Sequence, residues 1–158
     1  MLTEMPEYQE LLAPYFKPIS QELIDWMNEP YESNRNFPEQ LWQRASNGKR
    51  VRSKSEALID MALYKNGIPF RYECALRLGD SIIYPDFTIR HPKTGAIYYW
   101  EHFGRMDDPA YSKNVFLKLQ SYTACGIIPS IQLITTYETQ KNQLNLEMIE
   151  KIIEEYFL

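Results

Sequence analysis

The chain has 158 residues, 44% of them hydrophobic, and a formal net charge of −4. That is enough to close one core and too short for two full domains. The acidic balance excludes a protein that coats nucleic acid by bulk electrostatics, though not an enzyme with a local basic patch. Cys74, Cys125 and the two histidines fit neither a disulfide framework nor a zinc spacing, and no stretch nears the roughly eighteen apolar residues of a membrane span, so a cytoplasmic protein without membrane insertion is expected.

Residues 1–50 read as a helical N-terminal arm. Short amphipathic segments are broken by Pro14, Pro18, Pro30 and Pro38, and Ser20 is placed to cap a helix through Trp26 and Met27. Asn47-Gly48 marks a turn. Ser53 or Ser55 then caps a helix to about Asn66 that Gly67 ends, and the main domain, residues 51–158, begins here.

Phe70 to Leu78 is rich in strand formers, Gly79-Asp80 turns, and Ser81 to Arg90 continues as a second strand, which predicts one long hairpin. The turn His91-Pro92-Lys93-Thr94-Gly95 leads into a third strand, Ala96 to Phe103, completing a meander. Asp107-Asp108-Pro109 opens a helix that runs to Cys125 and stops at Gly126. Ile131 to Tyr137 is a fourth strand, and Leu146, Ile149, Ile152, Ile153 and Tyr156 form the apolar stripe of a closing helix. The order is α-β-β-β-α-β-α.

Two lone acids stand inside these apolar strands: Asp86 after Pro85, and Glu101 between Trp100 and His102. A carboxylate there loses hydration and needs a partner, a hydrogen-bonding cluster or a cation. Side chains alternate across a strand, so Asp86 and Glu101 on neighbouring strands can face one side, and Mg²⁺ takes only one or two carboxylates beside its waters and substrate phosphate. On the first domain helix, Glu56 borders the apolar arc of Leu58, Ile59, Ala62 and Leu63, while Asp60 falls further toward solvent. Glu56 is placed to aim a third carboxylate at the strand ends, or to serve as a first-turn acid favoured by the helix dipole.

On the helix after the third strand, Lys118 lies on the apolar face with Tyr111, Val115, Leu119 and Tyr122, whereas Lys113 and Gln120 point the other way. Such a lysine either snorkels outward or holds an anion. Lys49, Arg50, Arg52 and Lys54 are a candidate phosphate-binding cluster, or a solvated approach to the helix. His102 faces away from Glu101 and reads as a supporting or core residue.

The acid-bearing helix, Pro85-Asp86, Glu101 and the element order together resemble the PD-(D/E)XK nuclease superfamily over roughly residues 50 to 158. Arg52-Ser53-Lys54-Ser55-Glu56 and Trp100-Glu101-His102-Phe103-Gly104 look like a subgroup seen in bacterial and phage proteins. The resemblance implies a restriction-endonuclease-like αβββαβα core with a mixed central sheet flanked by helices. It implies Asp86, Glu101 and Glu56 as ligands of Mg²⁺ or Mn²⁺. Two residues beyond Glu101, where that motif has lysine, stands Phe103, and Lys118 is the substitute on the following helix. Its spacing to Tyr122 resembles the Gln-x-x-x-Tyr element of some relatives.

The expected function is metal-dependent hydrolysis of DNA phosphodiester bonds by Glu56, Asp86, Glu101 and Lys118. RNA is not excluded as substrate, and a homodimer is allowed. The alternative is an inactive module of the same architecture that binds nucleic acid or a protein. A carboxylate-pair glycosidase, which leaves Lys118 without a role, ranks last.

Overall fold

The computed structural model describes residues 19–158. The first part of the expected arm, with Pro14, lies outside the described residues, as does Pro18. Helix α1 (Gln21–Asn28) begins as expected at Ser20, whose hydroxyl accepts the Leu23 N–H. A small ribbon of β1 (Gln43–Arg44) and β2 (Arg50–Val51) leads to α2 (Lys54–Lys65). Ser53 caps α2 by accepting the Glu56 N–H, and Gly67, at φ 67°, supplies the left-handed turn that ends it.

Among the described residues the chain is mixed α/β, with four α-helices and a mixed sheet. The sheet holds β3 (Phe70–Tyr72), β6 (Phe87–Arg90), β7 (Ile97–Phe103) and β8 (Leu133–Tyr137), in that order. The first two pairings are antiparallel, and β8 joins β7 in parallel. A parallel neighbour needs a crossover, which α3 (Pro109–Ala124) provides.

The expected hairpin is corrected. Phe70 to Leu78 is not one strand: it breaks at Glu73, whose φ of 49° is rare for a residue with a side chain. Beyond the break, β4 (Leu76–Leu78) pairs with β5 (Ser81–Ile83) as a separate ribbon, and the chain rejoins the main sheet only at Phe87. Arg52 explains the kink: its guanidinium grips both Glu73 carboxylate oxygens, at 2.7 and 3.1 Å. Asp86 therefore sits in the bend before β6 rather than inside a strand.

Both faces of the sheet are covered. On one, Phe87, Ile89, Trp100 and Ile134 pack with Ile59 and Leu63 of α2 and with Ile149, Ile153 and Phe157 of α4 (Leu146–Phe157). On the other, Leu133 and Tyr99 meet Tyr122 and Leu119 of α3 and Leu78 of the β4–β5 ribbon. Full burial of each large side chain contributes about 2–3 kcal/mol. Among the described residues no helix is long and apolar enough to cross a membrane.

The arm closes the outer edge of β3. The Tyr31 hydroxyl donates to the Tyr72 carbonyl and accepts the Tyr72 N–H, and further backbone bonds join Asn34 to Glu73 and Ala75 to Glu32. The Arg71 guanidinium lies over the rings of Trp26 and Tyr31 and donates to the Trp26 carbonyl.

Candidate functional site

Strand alternation places consecutive residues of β7 on opposite faces, and both faces are used. Glu101 points toward α3 and is 1% exposed. One of its oxygens accepts the Asp86 N–H at 3.0 Å. The other accepts the Tyr122 hydroxyl at 3.1 Å and pairs with the Lys118 ammonium. Asp86 in turn accepts the His102 N–H at 2.7 Å. Each acid is thus held by the backbone of the other's neighbourhood, which fixes the two carboxylates side by side.

Asp86, Glu101, His102 and Lys118, with Tyr111, Asn114 and Phe103, line a cleft of about 250 Å³. Among the described residues Glu150 Oε1 is the single buried side-chain polar atom without a hydrogen-bond partner. The second Asp86 oxygen, to which no described protein group donates, therefore opens into the cleft.

The electrostatics follow from this geometry. Burial, then the Glu101 and Glu56 carboxylates, push the Asp86 pKa well up, against the opposing pull of Lys118 and the His102 N–H. Burial alone would lower the Lys118 pKa, but Glu101 and Asp86 outweigh it and raise it, so the ammonium stays charged. Burial and the Glu101 carboxylate push the Tyr122 hydroxyl up, so it remains a donor to Glu101. Two acids share one ammonium, which leaves the cleft short of positive charge.

The opposite face of β7 carries a supporting chain. His102 Nδ1 lies 2.9 Å from Thr136 Oγ1, and its Nε2 lies 2.7 Å from Glu138. Trp100 Nε1 donates to Thr136, while Ser55 and the Leu144 N–H donate to Glu138. This network anchors the His102 peptide, whose N–H holds Asp86. His102 is the buried supporting residue that strand alternation suggested. The sequence reading missed Glu138, although a lone acid following an apolar strand is the same signal that singled out Glu101.

The other sequence-selected residues divide. Glu56 is buried but does not line the cleft: α2 packs on the His102 face, and Tyr72 and Ser53 hydroxyls donate to its carboxylate there. Burial raises its pKa and these two hydrogen bonds oppose the rise, yet its charge is still felt at Asp86.

Asp60, expected toward solvent, is instead fully buried: it accepts the Ser46 N–H and hydroxyl and the Lys49 ammonium. Two of the four clustered cations are thereby engaged inside the protein. Lys49 is on Asp60 and over the Phe70 ring, and Arg52 is on Glu73 and the Asn36 and Phe37 carbonyls. Arg50 and Lys54 remain exposed.

Among the described residues no three His, Cys, Asp or Glu side chains form a group able to enclose a metal ion. The cleft offers two carboxylates and an ammonium. Comparison with family models, curated proteins and solved structures gives no match to this chain.

Proposed function

We propose that the chain hydrolyses DNA phosphodiester bonds with a divalent cation, Mg²⁺ or Mn²⁺, in the manner of the PD-(D/E)XK superfamily it resembles. One observation carries this reading: Asp86 and Glu101, fixed side by side, share a solvent-open cleft with the Lys118 ammonium. The sheet order, with antiparallel β3, β6 and β7 followed by parallel β8 across α3, supports a restriction-endonuclease-like core.

The donor set fits a hard cation. Asp86 has an oxygen facing the cleft, Glu101 retains lone-pair capacity on each oxygen, and two acids are sufficient where water and phosphate complete the coordination. Asp86 and Glu101 are the ligands in this reading, and Glu56 acts from behind through a water or through its charge. When bound, the ion would lower the pKa of a water and neutralise charge at the scissile phosphate.

The chain's own groups do the rest. Lys118 spends one of its three N–H donors on Glu101 and has others to orient a water or hold a phosphoryl oxygen. Tyr122 fixes the Glu101 side chain, and the His102 network fixes Asp86. Phe103, at the position of the motif lysine, stacks on Tyr137 with ring centroids 5.5 Å apart, so the cation comes from α3 instead.

The second reading, an inactive module, draws on the internal pairing of Glu101 with Lys118 and on the lack of a three-acid group among the described residues. The deciding experiment is cleavage of supercoiled plasmid and branched DNA, with RNA alongside, in Mg²⁺ or Mn²⁺. The wild type is expected to cut DNA and Asp86→Ala to lose at least about 100-fold, since even residues supporting a metal ligand cost 10–100-fold. Equal activity in the two proteins would overturn the proposal.

A further inference from the structure

Helix α3 begins beside the cleft, and its first turn carries Tyr111. The Tyr111 side chain lines the cleft, and its hydroxyl accepts the Gly104 N–H at 3.0 Å, which fixes the ring. Over that ring lies the Arg105 guanidinium, 5.0 Å from the ring centroid. Stacking of this kind holds a guanidinium in place without consuming its five N–H donors.

Arg105 is exposed, and among the described residues it has no carboxylate partner and donates no side-chain hydrogen bond. The contrast with the other basic side chains near the core is sharp. Lys118 is paired with Glu101, Lys49 with Asp60, Arg52 with Glu73 and Arg71 with Glu29. The acids nearest Arg105 in sequence are also occupied: Asp107 accepts the Gln140 N–H, and Asp108 caps α3 by accepting the Ala110 and Tyr111 N–H groups.

Arg105 lies on the Tyr111 ring, and Lys118 lines the same cleft as Tyr111. Burial raises the Tyr111 pKa and Asp86 adds to the rise, while the Gly104 N–H, Arg105 and Lys118 oppose it. Arg105 therefore lies within electrostatic reach of the cleft while remaining outside its ion pairs.

We infer that Arg105, held on the ring of the cleft-lining Tyr111, binds a backbone phosphate of the nucleic acid next to the phosphate positioned at Asp86. The ligand is a phosphodiester oxygen pair, which a planar guanidinium fork meets with two parallel hydrogen bonds. This inference rests on the proposed function for its substrate class, and predicts that Arg105 is a binding rather than a catalytic residue.

The test is a binding titration of the full-length protein with a fluorescein-labelled DNA duplex in EDTA, followed by anisotropy over a series of salt concentrations. Arg105→Gln is expected to weaken binding about tenfold at low salt. It should also reduce the slope of log K against log salt by about 0.9, the loss of one phosphate contact on duplex DNA. Arg105→Lys should recover the slope and only part of the affinity, because an ammonium keeps the charge but loses the fork. In the cleavage assay Arg105→Gln should raise KM with kcat held within about twofold.

Unchanged affinity and slope in Arg105→Gln would overturn the inference, even with cleavage abolished by Asp86→Ala, which would leave the nuclease reading standing. A lowered slope in a protein that cuts nothing would keep the phosphate subsite and remove the enzyme. Inorganic phosphate added at the same ionic strength should compete only weakly, and full competition by it would assign the subsite to a free anion instead.

Discussion

Asp60 and Asp86 are acids of the same type in one domain, buried to different ends. Asp60 lies on α2 with no exposure, and its oxygens are met by the Ser46 N–H, the Ser46 hydroxyl and the Lys49 ammonium. Asp86 is met by one backbone N–H, has Glu101 and Glu56 as like-charged neighbours, and keeps one oxygen toward a cleft. The first arrangement closes a loop onto a helix. The second leaves a charge deficit that a ligand can fill: Asp60 is wholly enclosed by hydrogen-bond donors and the opposite charge of Lys49, whereas Asp86 is partly open and faces like charges.

Removing the carboxylates tests the contrast in order of effect. Asp60→Ala strands a buried loop N–H and the Lys49 ammonium, and should cost about 3 kcal/mol, at the low end for a broken buried pair because Lys49 reaches solvent. That corresponds to a fall in Tm of about 9 °C with cleavage kinetics unchanged below the transition. A loss of under about 2 °C would show that Asp60 is not the structural member of the pair.

Asp86→Asn should move stability the other way. Asn keeps the bond from the His102 N–H while removing a charge that Glu101 and Glu56 oppose, so a gain of about 1 kcal/mol, or roughly 3 °C in Tm, is expected in EDTA together with loss of cleavage. Destabilisation by this variant would mean that the carboxylate is structural after all.

Glu138→Gln sharpens the comparison on the supporting side. Burial would raise the Glu138 pKa, but donation from Ser55, His102 and the Leu144 N–H outweighs it and holds the carboxyl below its usual range. A depressed folded pKa gives stability that is present above the unfolded value of about 4.3 and is lost as pH falls through the folded value. The variant should therefore lose about 1 kcal/mol at neutral pH, with the difference from wild type vanishing in acid. A pH-independent difference in urea midpoints would contradict this account.

Local signals in the chain located the elements where physics is local. Ser53 and Asp108 cap their helices, Gly67 and Gly126 end them, and Leu146, Ile149 and Ile153 lay out the last helix, all within a few residues of the feature they determine. Glu101 and the inward Lys118 were legible, because an apolar strand and a helical wheel make a misplaced charge visible, whereas Asp86 was singled out as a lone acid beside apolar residues although it sits in the bend before β6. The break at Glu73 was not legible, since it is held by Arg52, which lies 21 residues earlier in the sequence across the whole of α2. Asp60 was misjudged for the same reason: its partners come from the loop before the helix, and a wheel drawn on α2 alone cannot place Ser46 and Lys49 against it.

The two margins of the central sheet differ. At β3 the Tyr31 phenol occupies both the carbonyl and the N–H of Tyr72, much as a neighbouring strand would. At β8, among the described residues, no further strand follows. Among the described residues, β8 is thus the margin without a strand-like partner. Edge-to-edge pairing along Leu133–Tyr137, where Tyr137 stacks on Phe103, would place another polypeptide beside the acidic cleft and not across the molecule from it.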